Sequence, residues 1–96
     1  MRMMARVSMP VESANQAIKD GTLGTIMQRA ADRWKPEAMY FTTFDGQRTA
    51  FMVFDMPESA DIPAFAEPLF QELSAEVVIA PAMNTDDLQR GLAQVR

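Results

Sequence analysis

The side chains best suited to chemistry in this sequence are those of Arg6, Tyr40 and Asp55. Arg6 lies between hydrophobic residues, where a guanidinium either anchors an anion or pairs with a carboxylate. The Tyr40 hydroxyl can donate a hydrogen bond to a substrate oxygen, although a buried Tyr more often packs with its hydroxyl satisfied. Asp55 and Glu76 are either a carboxylate pair for acid–base work or solvated charges at strand ends. These residue types assign no catalytic residue by themselves.

The composition excludes several kinds of site. The chain has 96 residues, and it contains neither Cys nor His. The absence of Cys rules out disulfides and thiolate chemistry, and the absence of His removes the commonest metal ligand and neutral-pH proton shuttle. The nine Met residues favour adaptable packing over a metal site, because thioethers select Cu(I) only in tight clusters. We therefore expect neither a metal ion nor a cofactor.

The charge and hydropathy of the chain bear on its partners and location. A net charge of −4 argues against a nucleic-acid partner, because Lys and Arg supply most of the affinity for phosphates. No stretch approaches about 18 apolar residues, so we expect no membrane-spanning segment. The first residues also lack the apolar run of about 7–15 residues found in signal peptides. Together with the absence of Cys, these features predict a cytoplasmic protein.

The stretch "YFTTFDGQRTAFMVFDM", residues 40–56, predicts two strands joined by a tight turn. Asp45-Gly46 is a strong hairpin signal, because a two-residue loop often needs positive φ at both positions. Pairing outward from that turn places residue 40 opposite 51 and residue 42 opposite 49. One face of the hairpin is then mostly apolar. The other face is mixed and contains Tyr40, Thr42, Phe44, Gln47, Thr49, Phe51, Val53 and Asp55.

The rest of the chain predicts two more strands and three helices. The first strand covers residues 2–9 and is followed by a helix from Pro10 to Lys35, with a break at 20–24 after which Thr22 caps the second part. After the hairpin comes a helix that Asp61 caps and Pro68 kinks. A strand at 75–83 and a final helix capped by Asn84 complete the chain. The order β-α-β-β-α-β-α predicts a single domain, 1–96.

The first six elements in this order form the ferredoxin-like arrangement, a four-stranded antiparallel sheet with two helices on one face. The predicted fold class is therefore α+β. The helices leave the mixed face uncovered, and Arg6 and Ser8 of the first strand join that face. Because the first strand should lie beside the third, we expect Arg6 and Asp55 to pair if the face is dry. An uncovered sheet face with this many apolar side chains usually marks an interaction surface.

The chain resembles the dimeric α+β barrel superfamily, and within it small bacterial members with no assigned function. The element order, the strand "DGQRTAFMVFDM", the helix "IPAFAEPLFQEL" and the strand "VVIAPAMN" carry this resemblance. In that superfamily, two sheets pack face to face into an eight-stranded barrel that can hold a ligand. The resemblance implies a homodimer and a small-molecule cavity between its sheets. The candidate ligand-binding residues on that face are Arg6, Ser8, Tyr40, Thr42, Thr49, Phe51 and Asp55.

The superfamily includes cofactor-free oxygenases, isomerases and haem enzymes. Its haem branches use a His, which this chain lacks, and the haem-degrading branch pairs it with an Asn on the first strand and a Trp. Here Asn15 falls in the first helix and Trp34 ends it. Two functions stay open: a ligand-binding or purely structural dimer, and a cofactor-free oxygenase or isomerase. The second would act on a small apolar or aromatic oxygenated compound through Arg6, Tyr40 and Asp55.

RNA-recognition domains share the ferredoxin-like fold and place aromatic residues on the third strand. The stretch "RTAFMVFD", residues 48–55, is similar to their signature. When the two are aligned on Arg48, however, the stacking positions fall on Ala50 and Met52, and the first strand has no aromatic residue. Together with the acidic charge, this excludes RNA binding from the functions that we expect.

Overall fold

The structure is a computed structural model that describes residues 1–95 of the chain. Arg96, the last residue of the predicted domain, lies outside the described residues. The elements are β1 (Arg2–Met9), α1 (Val11–Lys19), α2 (Thr22–Trp34), β2 (Ala38–Phe44), β3 (Gln47–Asp55), a 3-10 turn (Ser59–Asp61), α3 (Ile62–Leu73), β4 (Glu76–Pro81) and α4 (Thr85–Leu92). The predicted α+β class and the antiparallel four-stranded sheet are confirmed.

The sheet has the strand order β2-β3-β1-β4, and each neighbouring pair is antiparallel. The hairpin has the predicted register, since Tyr40 lies opposite Phe51 and Thr42 opposite Thr49. The turn residue Asp45 has a φ of 52° and the following Gly46 a φ of 75°. Both are in the left-handed region that a two-residue hairpin turn of this kind requires.

The hydrophobic core lies between one face of the sheet and the first three helices. Alternate residues of β1 and β3 are buried on that face, as the period of two in a strand dictates. The indole of Trp34 meets the rings of Phe54 and Phe65 edge to face, with centroid distances of 5.5 and 5.8 Å. The core includes Met3, Ala5, Val7, Met9, Ala14, Ala17, Ile26, Ala50, Met52, Phe54, Phe65, Ala66, Leu69 and Leu73.

The first helical region is broken where the sequence predicts, between Lys19 and Thr22. Thr22 is not the cap, however, because it is already the first residue of α2 and Gly21 precedes it with a φ of 80°. The Asp20 carboxylate instead accepts hydrogen bonds from the backbone N–H and the hydroxyl of Thr22, at 2.9 and 2.6 Å. These bonds, with the hydroxyl contribution largest, hold the pKa of Asp20 below its ordinary value.

The caps of the two later helices differ. Asp61 occupies the N-cap position of α3 as predicted, but its side chain makes no capping hydrogen bond to that helix. Its carboxylate accepts the backbone N–H of Glu58 at 3.2 Å and thereby closes the 3-10 turn before the helix. α3 then includes Pro68 within one continuous span. Asn84 caps α4 as predicted. Among residues 1–95, no helix is long and apolar enough to cross a membrane.

Candidate functional site

The face of the sheet opposite the core carries rows of side chains that cross all four strands, and two of these rows contain most of the candidate ligand-binding residues. We call this surface the open face. One row contains Tyr40, Phe51, Arg6 and Val78, and the next row contains Thr42, Thr49, Ser8 and Glu76. Of the candidate ligand-binding residues, all except Asp55 lie in these two rows.

Large apolar side chains of the open face remain exposed. Tyr40 keeps 71% of its surface accessible, Met4 50% and Val78 43%. Phe51 and Val53, on the same face of β3, are only half-buried. Apolar groups that lie contiguously over a whole sheet face usually contact another surface. The open face is therefore the candidate surface for binding a partner or a ligand.

Ser8 and Thr49 are buried polar residues on this face, with 2% and 1% of their surfaces exposed. Their hydroxyl oxygens lie 3.1 Å apart. The Thr49 hydroxyl donates to the carbonyl oxygen of Gln47 at 3.1 Å, so the Ser8 hydroxyl must donate to Thr49. Arg6 in turn donates to the Ser8 oxygen at 3.2 Å. The chain of bonds runs from the guanidinium to the backbone, so these two hydroxyls orient Arg6 and are not themselves free for a ligand.

The Arg6 guanidinium is held on three sides. Besides its bond to Ser8, its central carbon lies 4.4 Å from the centroid of the Phe44 ring, a cation–π contact. Its Nη2 lies 3.6 Å from a carboxylate oxygen of Glu76, an ion pair too long for a hydrogen bond. The Phe44 ring meets that of Phe51 edge to face. Since a guanidinium has five N–H donors, Arg6 keeps donors for a ligand oxygen, and its side chain is 25% exposed.

Arg6 and Asp55 do not pair, so that prediction is wrong. The register places Phe51 opposite Arg6 and Asp55 opposite Arg2. Four residues along a strand separate the two positions by about 13 Å. The Asp55 carboxylate instead contacts the amino group of Met1 at 2.8 Å. Asp55 therefore lies at the end of the sheet, away from the other candidate ligand-binding residues.

The structure also removes Asp55 and Glu76 as a carboxylate pair. Asp55 lies opposite Arg2, and Glu76 lies opposite Ser8. Six positions along β1 correspond to about 20 Å, too far for two carboxylates to share a proton. We therefore assign no acid–base pair on the open face.

An ionic network that the sequence did not reveal lies at the same end of the sheet as Asp55. The Arg2 guanidinium donates to Glu37 at 2.6 Å and to Asp87 at 3.2 Å. Asp87 also pairs with Arg90. The backbone N–H of Asn84, followed by the charges of Arg90 and Arg2, holds the pKa of Asp87 below its ordinary value. The Asn84-x-x-Asp87 spacing was the available signal, since a capping box places an acid there.

The helix side of the molecule has a groove between α2 and α3. It has a volume of about 190 Å³, and Ile26 and Leu69 lie in it. Arg29 and Glu72 on its rim are 3.8 Å apart and largely compensate each other. Within residues 1–95, no three His, Cys, Asp or Glu side chains are grouped to bind a metal ion.

Comparison with known proteins adds no assignment. No protein-family model matches the chain, and a search of the curated proteins finds no match. The function is therefore argued from the open face alone.

Proposed function

We propose that the protein is a homodimer in which two open faces pack together as a dimeric α+β barrel, with a small molecule bound between the sheets. One observation carries the proposal: among the described residues 1–95, no layer covers the open face, on which Tyr40, Met4 and Val78 are exposed. The strand order β2-β3-β1-β4 and the helices on the opposite face support a ferredoxin-like subunit. In such a subunit the helices cover one face of the sheet, and the open face stays available for burial against a partner.

The size of the open face is of the right order for a dimer interface. Four strands about 4.8 Å apart and roughly 25 Å long give a planar area of about 480 Å². Projecting side chains make the accessible area larger than this planar value. A standard stable interface buries about 800 Å² from each partner, so the open face supplies much of that area.

The side chains of the open face indicate the chemistry of the ligand. Tyr40 and Phe51 offer aromatic surface, Thr42 a hydroxyl, and Arg6 a cation with free donors. A pocket of apolar walls with a few placed polar groups is typical of small-molecule sites. We therefore expect a small, mostly apolar or aromatic compound that carries an anionic or carbonyl oxygen for Arg6.

The second candidate function is a cofactor-free oxygenase or isomerase that acts on a similar compound. It is favoured by the placement of Tyr40 and Arg6 in one row, two strands apart, or about 10 Å. That spacing leaves room for a small substrate between the hydroxyl and the guanidinium. Asp55 has no part in this alternative, because it lies at the end of the sheet. The binding function is preferred, since no proton-transfer pair accompanies Tyr40 and Arg6.

Sedimentation of the wild type and the variant Tyr40→Glu tests the dimer. We expect a wild-type dimer at micromolar concentration and a monomeric variant, because an unpaired charge in an apolar interface is costly. Tyr40 is 71% exposed, so its replacement should not unfold the protomer. Phe70→Glu is the matched control, since Phe70 is 43% exposed on α3. A monomeric wild type refutes the proposal, and a monomeric Phe70→Glu beside a dimeric Tyr40→Glu moves the interface to the helix side.

Native mass spectrometry of the purified protein tests the ligand. We expect the dimer to carry a small molecule that denaturation releases, and we expect Arg6→Met to lose it while remaining dimeric. The control is Arg29→Met, which alters an exposed guanidinium on the helix side. If wild type and Arg6→Met retain the same molecule equally, Arg6 is not the anchor. If both are empty dimers, the purely structural function replaces the binding function.

A further inference from the structure

The C-terminal helix α4 is loosely packed, since none of its residues is buried. Leu88 and Leu92 are four residues apart on the helix and form an apolar stripe, and Val95 follows three residues after the last residue of the helix. They are 42%, 58% and 71% exposed, and Met83 before the helix is 66% exposed. Nothing within residues 1–95 covers this apolar stripe.

A helix of this kind needs a partner to be stable. Isolated helices shorter than about 12–15 residues are marginal in water, and α4 has eight residues. Gly91 weakens it further, because glycine is a poor helix former. Its supports among the described residues include the Asn84 cap and the ion pairs of Asp87 with Arg2 and Arg90. Such supports fix where α4 begins, and they leave its last turn unsupported.

The beginning of α4 lies on the same side of the sheet as the open face. Arg2 alternates with the buried Met3 along β1, so its side chain lies on the open-face side, where it holds Asp87. The molecule is 53 Å long, whereas a nine-residue strand spans about 30 Å. Its radius of gyration is 15.0 Å, against about 12–13 Å for a compact chain of this length. We take α4 to extend past the end of the sheet.

We propose that α4 is an arm that docks on a second copy of this chain, with its apolar stripe against the partner protomer at the end of the space between the sheets. The proposal rests on the dimer proposed above. The second copy is the occupant because the arm begins beside the open face and continues that surface. The open face supplies much of the roughly 800 Å² that a standard interface buries from each partner, and the arm would add to that area.

In a two-fold symmetric dimer, the area that the arm buries is counted twice. Each protomer gives one arm and receives one, because an isologous interface uses every contact twice. The arm surface and the surface that receives it are therefore both added to the buried area of each protomer. The arm would also close one end of the ligand cavity, so the site would be complete only in the dimer.

The test uses the absence of Cys from the chain. A single cysteine is introduced as Leu92→Cys, and its rate of reaction with a maleimide is measured in the dimer and in the Tyr40→Glu background. We expect at least tenfold slower labelling in the dimer. Gln89→Cys, beside the stripe on the same helix, is the control and should label at nearly the same rate in both backgrounds. Equal rates at position 92 in a protein that sediments as a dimer would overturn the arm and leave the dimer intact.

A second measurement does not depend on labelling. Leu88→Ser combined with Leu92→Ser should raise the dimer dissociation constant at least tenfold in sedimentation equilibrium. The control, Gln89→Ser combined with Gln94→Ser, should stay within twofold of the wild type. An unchanged constant in the leucine variant would overturn the arm. A wild type that is monomeric would instead refute the dimer itself.

Discussion

Thr49→Val removes one hydroxyl from the buried chain of hydrogen bonds between Arg6 and the backbone. Valine has nearly the shape of threonine, so the change leaves packing intact and removes only the Thr49 oxygen. The Ser8 hydroxyl then loses its acceptor, and the carbonyl of Gln47 loses its donor. A buried polar group without a partner costs about 1–3 kcal/mol. Both groups are affected and both can partly relax, so we expect a loss of about 2 kcal/mol.

The loss is measured by thermal or urea unfolding at a fixed protein concentration, since the stability of a dimer depends on concentration. For a domain of this size, about 2 kcal/mol corresponds to a fall in Tm of roughly 10 °C. Thr43→Val is the control, because Thr43 lies on the other side of β2 from the open face, opposite Arg48, and is exposed. It should change the free energy of unfolding by less than about 0.5 kcal/mol.

The double variant Ser8→Ala with Thr49→Val sharpens the test. Replacing both partners of a buried hydrogen bond with apolar groups can be nearly neutral. We therefore expect the double variant to be more stable than the sum of the two single changes implies. A Thr49→Val protein as stable as the wild type, with strictly additive effects in the double variant, would refute the directed chain from Arg6 through Ser8.

Three further predictions concern charge and backbone. Arg6→Met and Asp55→Leu should have additive effects on unfolding free energy, because the two residues are about 13 Å apart; a coupling above about 1 kcal/mol would restore the pair. The pKa of Asp87 is lowered in the folded state, so its contribution is present above the ordinary carboxyl pKa and is lost as pH falls through the folded value. The protection factors of the α4 amides, which correct for the intrinsic pH dependence of exchange, should therefore fall as the pH drops below the ordinary carboxyl pKa, and Asp87→Asn should remove that dependence. Gly46→Ala should lower the free energy of unfolding by about 1 kcal/mol, because the φ of Gly46 is 75° and alanine is strained there. Gly24→Ala should raise the free energy of unfolding by about 1 kcal/mol, because Gly24 lies within α2 and an added Cβ would contact no other atom. Both changes are measured by urea unfolding.

The hairpin could be predicted from the sequence because its determinants are local. Asp45-Gly46 fixes the turn, the turn fixes the register, and alternation then fixes which side chains share a face. The same reasoning placed Arg6 and Tyr40 on one face, and the structure puts them in one row. Asn84 was also identified locally, from its position before two acidic residues at a helix start.

The errors concern positions that local patterns leave free. Alternation assigns Arg6 and Asp55 to one face, but it does not say which residue of β1 lies opposite which residue of β3. That offset depends on how the first strand aligns with a hairpin far along the chain. The burial of Ser8 and Thr49 was missed for a related reason. Alternation predicts the side to which a side chain points, whereas the Arg6–Phe44 contact beside these hydroxyls depends on rotamers.

The position of strand β2 has a consequence for the behaviour of a single protomer. It is an outer strand of the sheet, and its sequence, AMYFTTF, contains no charge, proline or glycine. Bare outer strands of this composition can template cross-β growth, and proteins usually guard them with charges. In this chain, charged residues flank β2 only at its two ends, as Glu37 and Asp45. A protomer whose outer strand is unprotected would thus be most prone to cross-β pairing with other copies before it is fully folded and assembled.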